Sequence, residues 1–89
     1  MTYLITYYLN KSGHNYSCLY EAIKSLGCWA HFMDSTWFVD TDYSSVQIRD
    51  ELLKVMDSND SLFITKISSY SGWGLHKDAW PWLSEHVNN

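Results

Sequence analysis

The stretch that most constrains the fold of this chain is residues 3–9. β-Branched and aromatic side chains dominate it, and such side chains favour a strand over a helix. Both faces of this strand would be largely apolar, with Tyr3, Ile5, Tyr7 and Leu9 on one and Leu4 and Tyr8 with two threonines on the other. A strand with two apolar faces usually lies inside a sheet that is covered on both sides. We therefore expect the first strand to be central, with the rest of the chain packed around it.

The chain has the length of one domain, residues 1–89, and an unusually aromatic composition. A domain of this size buries only about 60–65% of its unfolded surface, so it needs a dense core or a partner. Hydrophobic residues make up 46% of the sequence, which contains five tryptophans and seven tyrosines. Aromatic surface beyond what one small core can bury indicates an interface, although tyrosines can also line a wet surface with their hydroxyls outward.

The charge of the chain argues against strong binding to nucleic acid. The net charge is −4, from ten acidic and six basic side chains, and the basic ones are spread along the chain. Binding to a phosphate backbone depends on clustered Lys and Arg, so a single subunit should bind nucleic acid weakly. A dimer could still bring several of these cations together in a local basic strip.

The two cysteines, Cys18 and Cys28, are too few for a disulfide scaffold and lack the spacing of metal ligands. We expect both to be reduced and to behave as small hydrophobic side chains. The sequence starts without the basic and apolar regions of a signal peptide, and no stretch approaches the ~20 apolar residues of a membrane span. These features predict a cytoplasmic protein without a membrane segment.

Three helices are predicted. The first spans residues 16–26, where apolar side chains repeat at three and four, and Asn15 is placed to cap it. The second begins with a capping box, in which Ser44 is followed three residues later by Gln47. The third spans residues 79–87, because the only proline of the chain fits the first turn of a helix and not its interior.

Three further strands complete the pattern. Residues 28–34 and 36–41 are expected to form two strands joined by a tight turn, and residues 61–68 a fourth strand before a glycine-containing loop at 70–74. The apolar side chains of these elements should form one core, composed of Ile5, Tyr16, Leu19, Ile23, Trp37, Ile48, Leu52 and Val55.

The element order is β-α-β-β-α-β followed by a tail helix, which is the pattern of an α+β ferredoxin-like fold. Two right-handed crossovers would place both main helices on one face of a four-stranded antiparallel sheet with the strand order 4-1-3-2. The second face then needs a cover, either the tail with Trp73, Trp80 and Trp82 or a second subunit. These tryptophans could also stack on nucleobases, but with so few cations beside them packing is favoured.

The sequence contains no clear catalytic or metal-binding pattern. The four histidines, which lack the spacing of metal ligands, are His14, His31, His76 and His86. Asp40 and Asp42 could bind a hard cation, but carboxylates before a helix are more often solvated and favoured by the helix dipole. No serine lies in a nucleophile elbow. The sequence therefore predicts no catalytic residue, no metal and no cofactor.

Residues 4–10, the Asn-Lys-Ser-Gly loop that follows and the helix starting at Tyr16 resemble the small bacterial SinR-like proteins. The later Asp-Ser-Thr-Trp at residues 34–37 is part of the same resemblance, which extends from residue 1 to 82. That group is similar to the CRISPR-associated adaptation nuclease-like subunits and to virulence-associated protein D. The resemblance implies a ferredoxin-like homodimer, whose active relatives are metal-dependent nucleases with an Asp at the end of strand one.

This chain departs from that family pattern at Tyr8, which stands where the nucleases have their Asp. A phenol, with a pKa of about 10, cannot replace a carboxylate as a magnesium ligand at neutral pH. The resemblance thus implies the fold and the dimer, and the departure argues against metal-dependent cleavage.

The leading hypothesis is a non-catalytic homodimeric protein that binds a protein partner or a nucleic acid. The residues expected to bind are Tyr8, Asn10, Trp73, Trp80 and Trp82. By analogy alone, such a small acidic protein would act between phages or mobile elements and host defence. Two alternatives stay open, namely a metal-dependent nuclease that uses Asp34, Asp40 or Asp42, and a nucleotide-binding sponge with a pocket between subunits.

Overall fold

The structure, a computed structural model, describes residues 1–10 and 16–87 of the chain. Its elements in chain order are β1 (Thr2–Tyr8), α1 (Ser17–Lys24), β2 (Cys28–Met33), β3 (Thr36–Asp40), α2 (Ser45–Leu53), β4 (Ser61–Lys66) and α3 (Ala79–His86). All seven predicted elements are present, and most are one to two residues shorter at an end than the sequence indicates. His14 and the expected helix cap Asn15 lie outside the described residues.

The four strands form one antiparallel sheet in the order β2-β3-β1-β4. β1 lies between β3 and β4, and its Ile5 pairs with Trp37 on one side and with Ile64 on the other. The α+β class and the central position of the first strand are therefore confirmed. Within the described ranges, none of the helices has the length and apolarity that a membrane crossing requires.

The main core lies between α1, α2 and one face of the sheet. Its buried members are Tyr3, Ile5, Tyr7, Tyr16, Leu19, Ile23, Leu26, Trp37, Val39, Ile48 and Leu52. The prediction of Val55 as a core residue is wrong, because α2 ends at Leu53 and Val55 follows the helix with its side chain exposed. Met56, one residue further on, packs against the core instead.

A smaller core lies on the second face of the sheet, under α3. Phe38 lies between the main-core residues Trp37 and Val39 in β3. Because successive side chains of a strand point to opposite faces, the side chain of Phe38 points to this second face. It packs with Ala30 and with Leu83 and Val87 of the tail. The tail of the same chain thus covers this part of the second face.

The end of the second face that is furthest from α3 is bare. Tyr8 of β1 and Phe63 of β4 share this face, and their exposed fractions are 68% and 63%. Each is a large aromatic side chain on a sheet surface that the described part of the chain leaves open to solvent.

Local sequence signals explain where two of the elements begin. The capping box of α2 is formed as predicted, since Gln47 N donates to Ser44 Oγ at 3.1 Å and Ser44 N donates to Gln47 Oε1 at 2.9 Å. Before β2, a Cβ on Gly27 would collide with the backbone carbonyl of Asp40. Glycine lets the chain pass this close to the end of β3, so that Cys28 pairs with Asp40 in the sheet.

Candidate functional site

A large concave feature lies between the second face of the sheet and the segment that connects β4 to α3. This tail pocket has a volume of about 590 Å³ and is lined by Leu4, Met33, Phe38, residues 65–73, Leu75, Trp80 and Leu83. The floor is apolar, and three serines of the connecting segment add hydroxyl groups to the lining. Such a shape, with a few polar groups around an apolar floor, is typical of a binding site.

Glycines shape the connecting segment at the edge of this pocket. Gly74 has φ +77°, a left-handed conformation that other residues rarely adopt. Gly72 lies against Trp80, since a Cβ at this position would be 3.1 Å from the indole ring. Trp73, between the two glycines, lines the pocket and is 95% exposed, so it offers a large aromatic surface to a ligand or partner.

The pocket carries little charge. Among the described residues that line it, Lys66 is the single cation, and there is no carboxylate. Binding of a phosphate backbone requires a cluster of Lys and Arg, and the pocket offers one Lys. The lining therefore suits an apolar or aromatic group that is neutral.

The five residues predicted to bind do not form one site. Trp73 and Trp80 line the tail pocket. Trp82 stacks on Phe38 and on His86 instead, with ring centroids 6.2 Å and 4.2 Å apart, and the exposed Tyr8 belongs to the bare end of the sheet. The backbone N of Asn10 donates to Asp60 Oδ1 at 2.9 Å, so Asn10 serves a structural contact.

The carboxylates proposed for an alternative metal site do not belong to a larger set of metal-ligating side chains among the described residues. In residues 1–10 and 16–87, no group of three or more His, Cys, Asp or Glu side chains is arranged to hold a metal ion. Asp40 is not a merely solvated residue before a helix, because its Oδ2 lies 2.8 Å from His86 Nδ1 and its Oδ1 lies 3.3 Å from the amino group of Met1.

A second constellation, which sequence reasoning missed, lies at the end of α3. His86 Nδ1 contacts Asp40, and His86 Nε2 lies 3.7 Å from Cys28 Sγ. The hydrogen bond from His86, and to a lesser degree the Met1 amino group, holds the pKa of Asp40 below its ordinary value. Both Cys18 and Cys28 are free thiols, as the sequence predicts, but both are exposed, so they do not serve as small hydrophobic side chains of the core.

Comparisons with models of known protein families, with curated proteins and with solved structures found no match to this chain. The resemblance to the SinR-like proteins therefore stays a prediction.

Proposed function

We propose that this chain is a non-catalytic interaction protein whose tail pocket binds an apolar or aromatic side chain of a partner protein. The observation that carries the proposal is the pocket of about 590 Å³ with its apolar floor and the exposed Trp73 at its edge. Its volume lies within the range of about 300–1,000 Å³ that is usual for ligand sites. Tryptophan is enriched at the centres of protein interfaces, where it contributes much of the binding energy.

A protein partner is favoured over a nucleic acid because of charge. The pocket offers one cation, Lys66, and the chain as a whole carries a net charge of −4. Stacking of bases on Trp73 would have to overcome repulsion of the phosphates without the cations that normally offset it. A neutral side chain from a protein meets no such penalty.

We also propose the finer assignments that the sequence predicts, namely a ferredoxin-like arrangement and a homodimer. The element order and the antiparallel sheet support the first of these. The exposed Tyr8 and Phe63 at the bare end of the sheet support the second, because a second copy could bury both. A role between phages or mobile elements and host defence remains a hypothesis by analogy.

A peptide library displayed on phage tests the binding function directly. Selection on the wild type should enrich peptides that share an aromatic or large aliphatic residue. Trp73→Ser should weaken the binding of these peptides at least about tenfold, which is the cost of losing an aromatic anchor. Trp29→Ser is the matched control, because Trp29 is exposed on the opposite face of the sheet and should leave the affinity unchanged.

Two results would contradict the proposal. One is enrichment of the same peptides on wild type and on Trp73→Ser. The other is tight binding of a fluorescent single-stranded oligonucleotide to the wild type at 150 mM salt together with loss of that binding in Trp73→Ser, which would assign the pocket to nucleic acid.

A further inference from the structure

The cluster at the end of α3 has the arrangement of an activated thiol. Cys28 begins β2 and pairs in the sheet with Asp40 at the end of β3, so both side chains point to the second face. His86, the last residue of α3, lies between them, with Nδ1 2.8 Å from Asp40 Oδ2 and Nε2 3.7 Å from Cys28 Sγ. A nucleophile, a base and a group that orients the base thus contact one another in series.

The imidazole is held in a fixed position. The ring of His86 stacks on Trp82 at 4.2 Å, its side chain is only 17% exposed, and its backbone carbonyl accepts a hydrogen bond from Thr2 Oγ1 at 2.6 Å. Because an ionised Asp40 accepts from Nδ1–H, the neutral ring presents the lone pair of Nε2 to the thiol. Asp40 therefore acts as a positioning residue that selects this tautomer.

The thiol itself is open to reagents, because Cys28 is exposed. Acyl transfer would need donors aimed at an oxyanion, whereas disulfide exchange needs a thiolate with in-line access to a sulfur atom. Cys18 is the only other cysteine of the chain, and it lies on α1, across the sheet from Cys28. With both cysteines free in the structure, a mixed disulfide on Cys28 would have no neighbouring thiol to displace it.

We propose that Cys28 is a modification site, a thiol activated by His86 and Asp40 that forms a mixed disulfide with a small-molecule disulfide. The thiol proton passes to His86 Nε2 as Sγ attacks one sulfur of the reagent. A new S–S bond forms while the old one breaks, and the departing thiolate takes up the proton from His86. Cys28 is oxidised and the departing half of the reagent is reduced, so the reagent is the oxidant. This site does not depend on the interaction function of the tail pocket.

The test compares the two cysteines of the full chain, each isolated by changing the other to Ser. Each single-cysteine protein is treated with glutathione disulfide, and the mixed disulfide is followed by intact mass spectrometry. At pH 7 we expect Cys28 to react at least about tenfold faster than Cys18, a modest general-base effect. In denaturant the two rates should become equal, because the effect belongs to the folded arrangement.

The pH dependence separates activation from simple exposure. The titratable groups at the site are the Cys28 thiol, His86, Asp40 and the Met1 amino group beside Asp40. The rate of an ordinary thiol falls roughly tenfold per pH unit below its pKa. Because His86 Nε2 is placed to take up the Cys28 proton during attack, the Cys28 rate should fall less steeply than the Cys18 rate between pH 8.5 and pH 7. The ratio of the two rates should therefore rise over this range in the wild-type background, and in His86→Gln it should no longer depend on pH.

Asp40→Asn should lower the ratio of the Cys28 rate to the Cys18 rate at pH 7, but the ratio should stay above that of His86→Gln. Thermal melts check that each variant is folded. Equal rates for the two native cysteines, or a ratio that neither His86→Gln nor Asp40→Asn changes, would overturn the proposal. If His86→Gln does not fold, the comparison of Cys28 with Cys18 and the Asp40→Asn variant still decide it.

Discussion

At the scale of single residues, the surroundings of Asp40 determine how its charge contributes to the stability of the protein. Its pKa is lowered chiefly by the hydrogen bond with His86, so the folded state favours the ionised form. This contribution to stability is fully present above the unfolded pKa of about 3.9 and is lost as the pH falls through the lower folded value. Asp40→Asn should therefore destabilise the protein at pH 7 and make less difference at pH 3.

Urea denaturation of both proteins at the two pH values measures this effect. The side chain of Asp40 is partly exposed, so the difference should be modest. Asp42→Asn is the control, because no hydrogen bond or ion pair of Asp42 occurs among the described residues. If the difference in the free energy of unfolding between wild type and Asp40→Asn became larger as the pH falls, the lowered pKa of Asp40 would be contradicted.

Tyr8 carries a second prediction at this scale. The predicted resemblance aligns Tyr8 with the Asp of the related nucleases, and on this hypothesis we expect no cleavage of RNA or DNA in the presence of Mg²⁺ or Mn²⁺. The measurement is incubation of repurified protein with labelled substrates, with and without chelator. Chelator-sensitive cleavage that is lost in Asp40→Asn or Asp42→Asn would refute it.

At the scale of elements, α2 offers a matched pair of neighbouring leucines. Leu52 is fully buried in the main core, whereas Leu53 is 52% exposed. Leu52→Ala should lower the free energy of unfolding by about 2–4 kcal/mol, as large-to-small core changes do. Leu53→Ala should cost less than about 0.5 kcal/mol, as surface changes do. Chemical denaturation of both variants distinguishes them, and similar losses would mean that α2 packs through a different face.

The elements could be predicted because each carries a local signal. The capping box at Ser44, the apolar repeat of α1 and the alternation along β1 all depend on residues a few positions apart. The prediction for Val55 fails because the apolar repeat continues past the last turn of α2, where the chain leaves helical geometry.

The thiol cluster could not be predicted in the same way. His86 lies 46 positions from Asp40 and 58 from Cys28, so no spacing in the sequence connects the three. The hairpin of β2 and β3 does bring Cys28 opposite Asp40, and its register could have been estimated from the tight turn. Where α3 docks depends on the packing of Leu83 and Val87 against Phe38, which only the folded structure reveals.

At the scale of the whole molecule, we expect a dimer that buries the bare end of the sheet. Phe63→Lys places a charge in the centre of this surface and should convert the dimer to a monomer of about 10.4 kDa. Leu53→Lys is the control, because Leu53 is similarly exposed but lies on the helical side of the sheet. Light scattering behind a sizing column measures both.

Two outcomes would count against this arrangement. A wild type that stays monomeric at every accessible concentration would remove the dimer altogether. A dimer that resists Phe63→Lys would place the interface elsewhere, and Trp73→Ser would then test whether the edge of the tail pocket provides it.

Because α3 is a single helix, it connects the tail pocket with the cluster around Cys28. Trp80 near its start lines the tail pocket, and His86 at its end faces Cys28, about 9 Å further along the helix axis. A ligand that shifts this helix relative to Cys28 would change the equilibrium constant for forming the proposed mixed disulfide. By thermodynamic linkage, modification of Cys28 would then change the affinity of that ligand by the same factor. The helix would thus let the redox state of the surroundings set how tightly the partner is held.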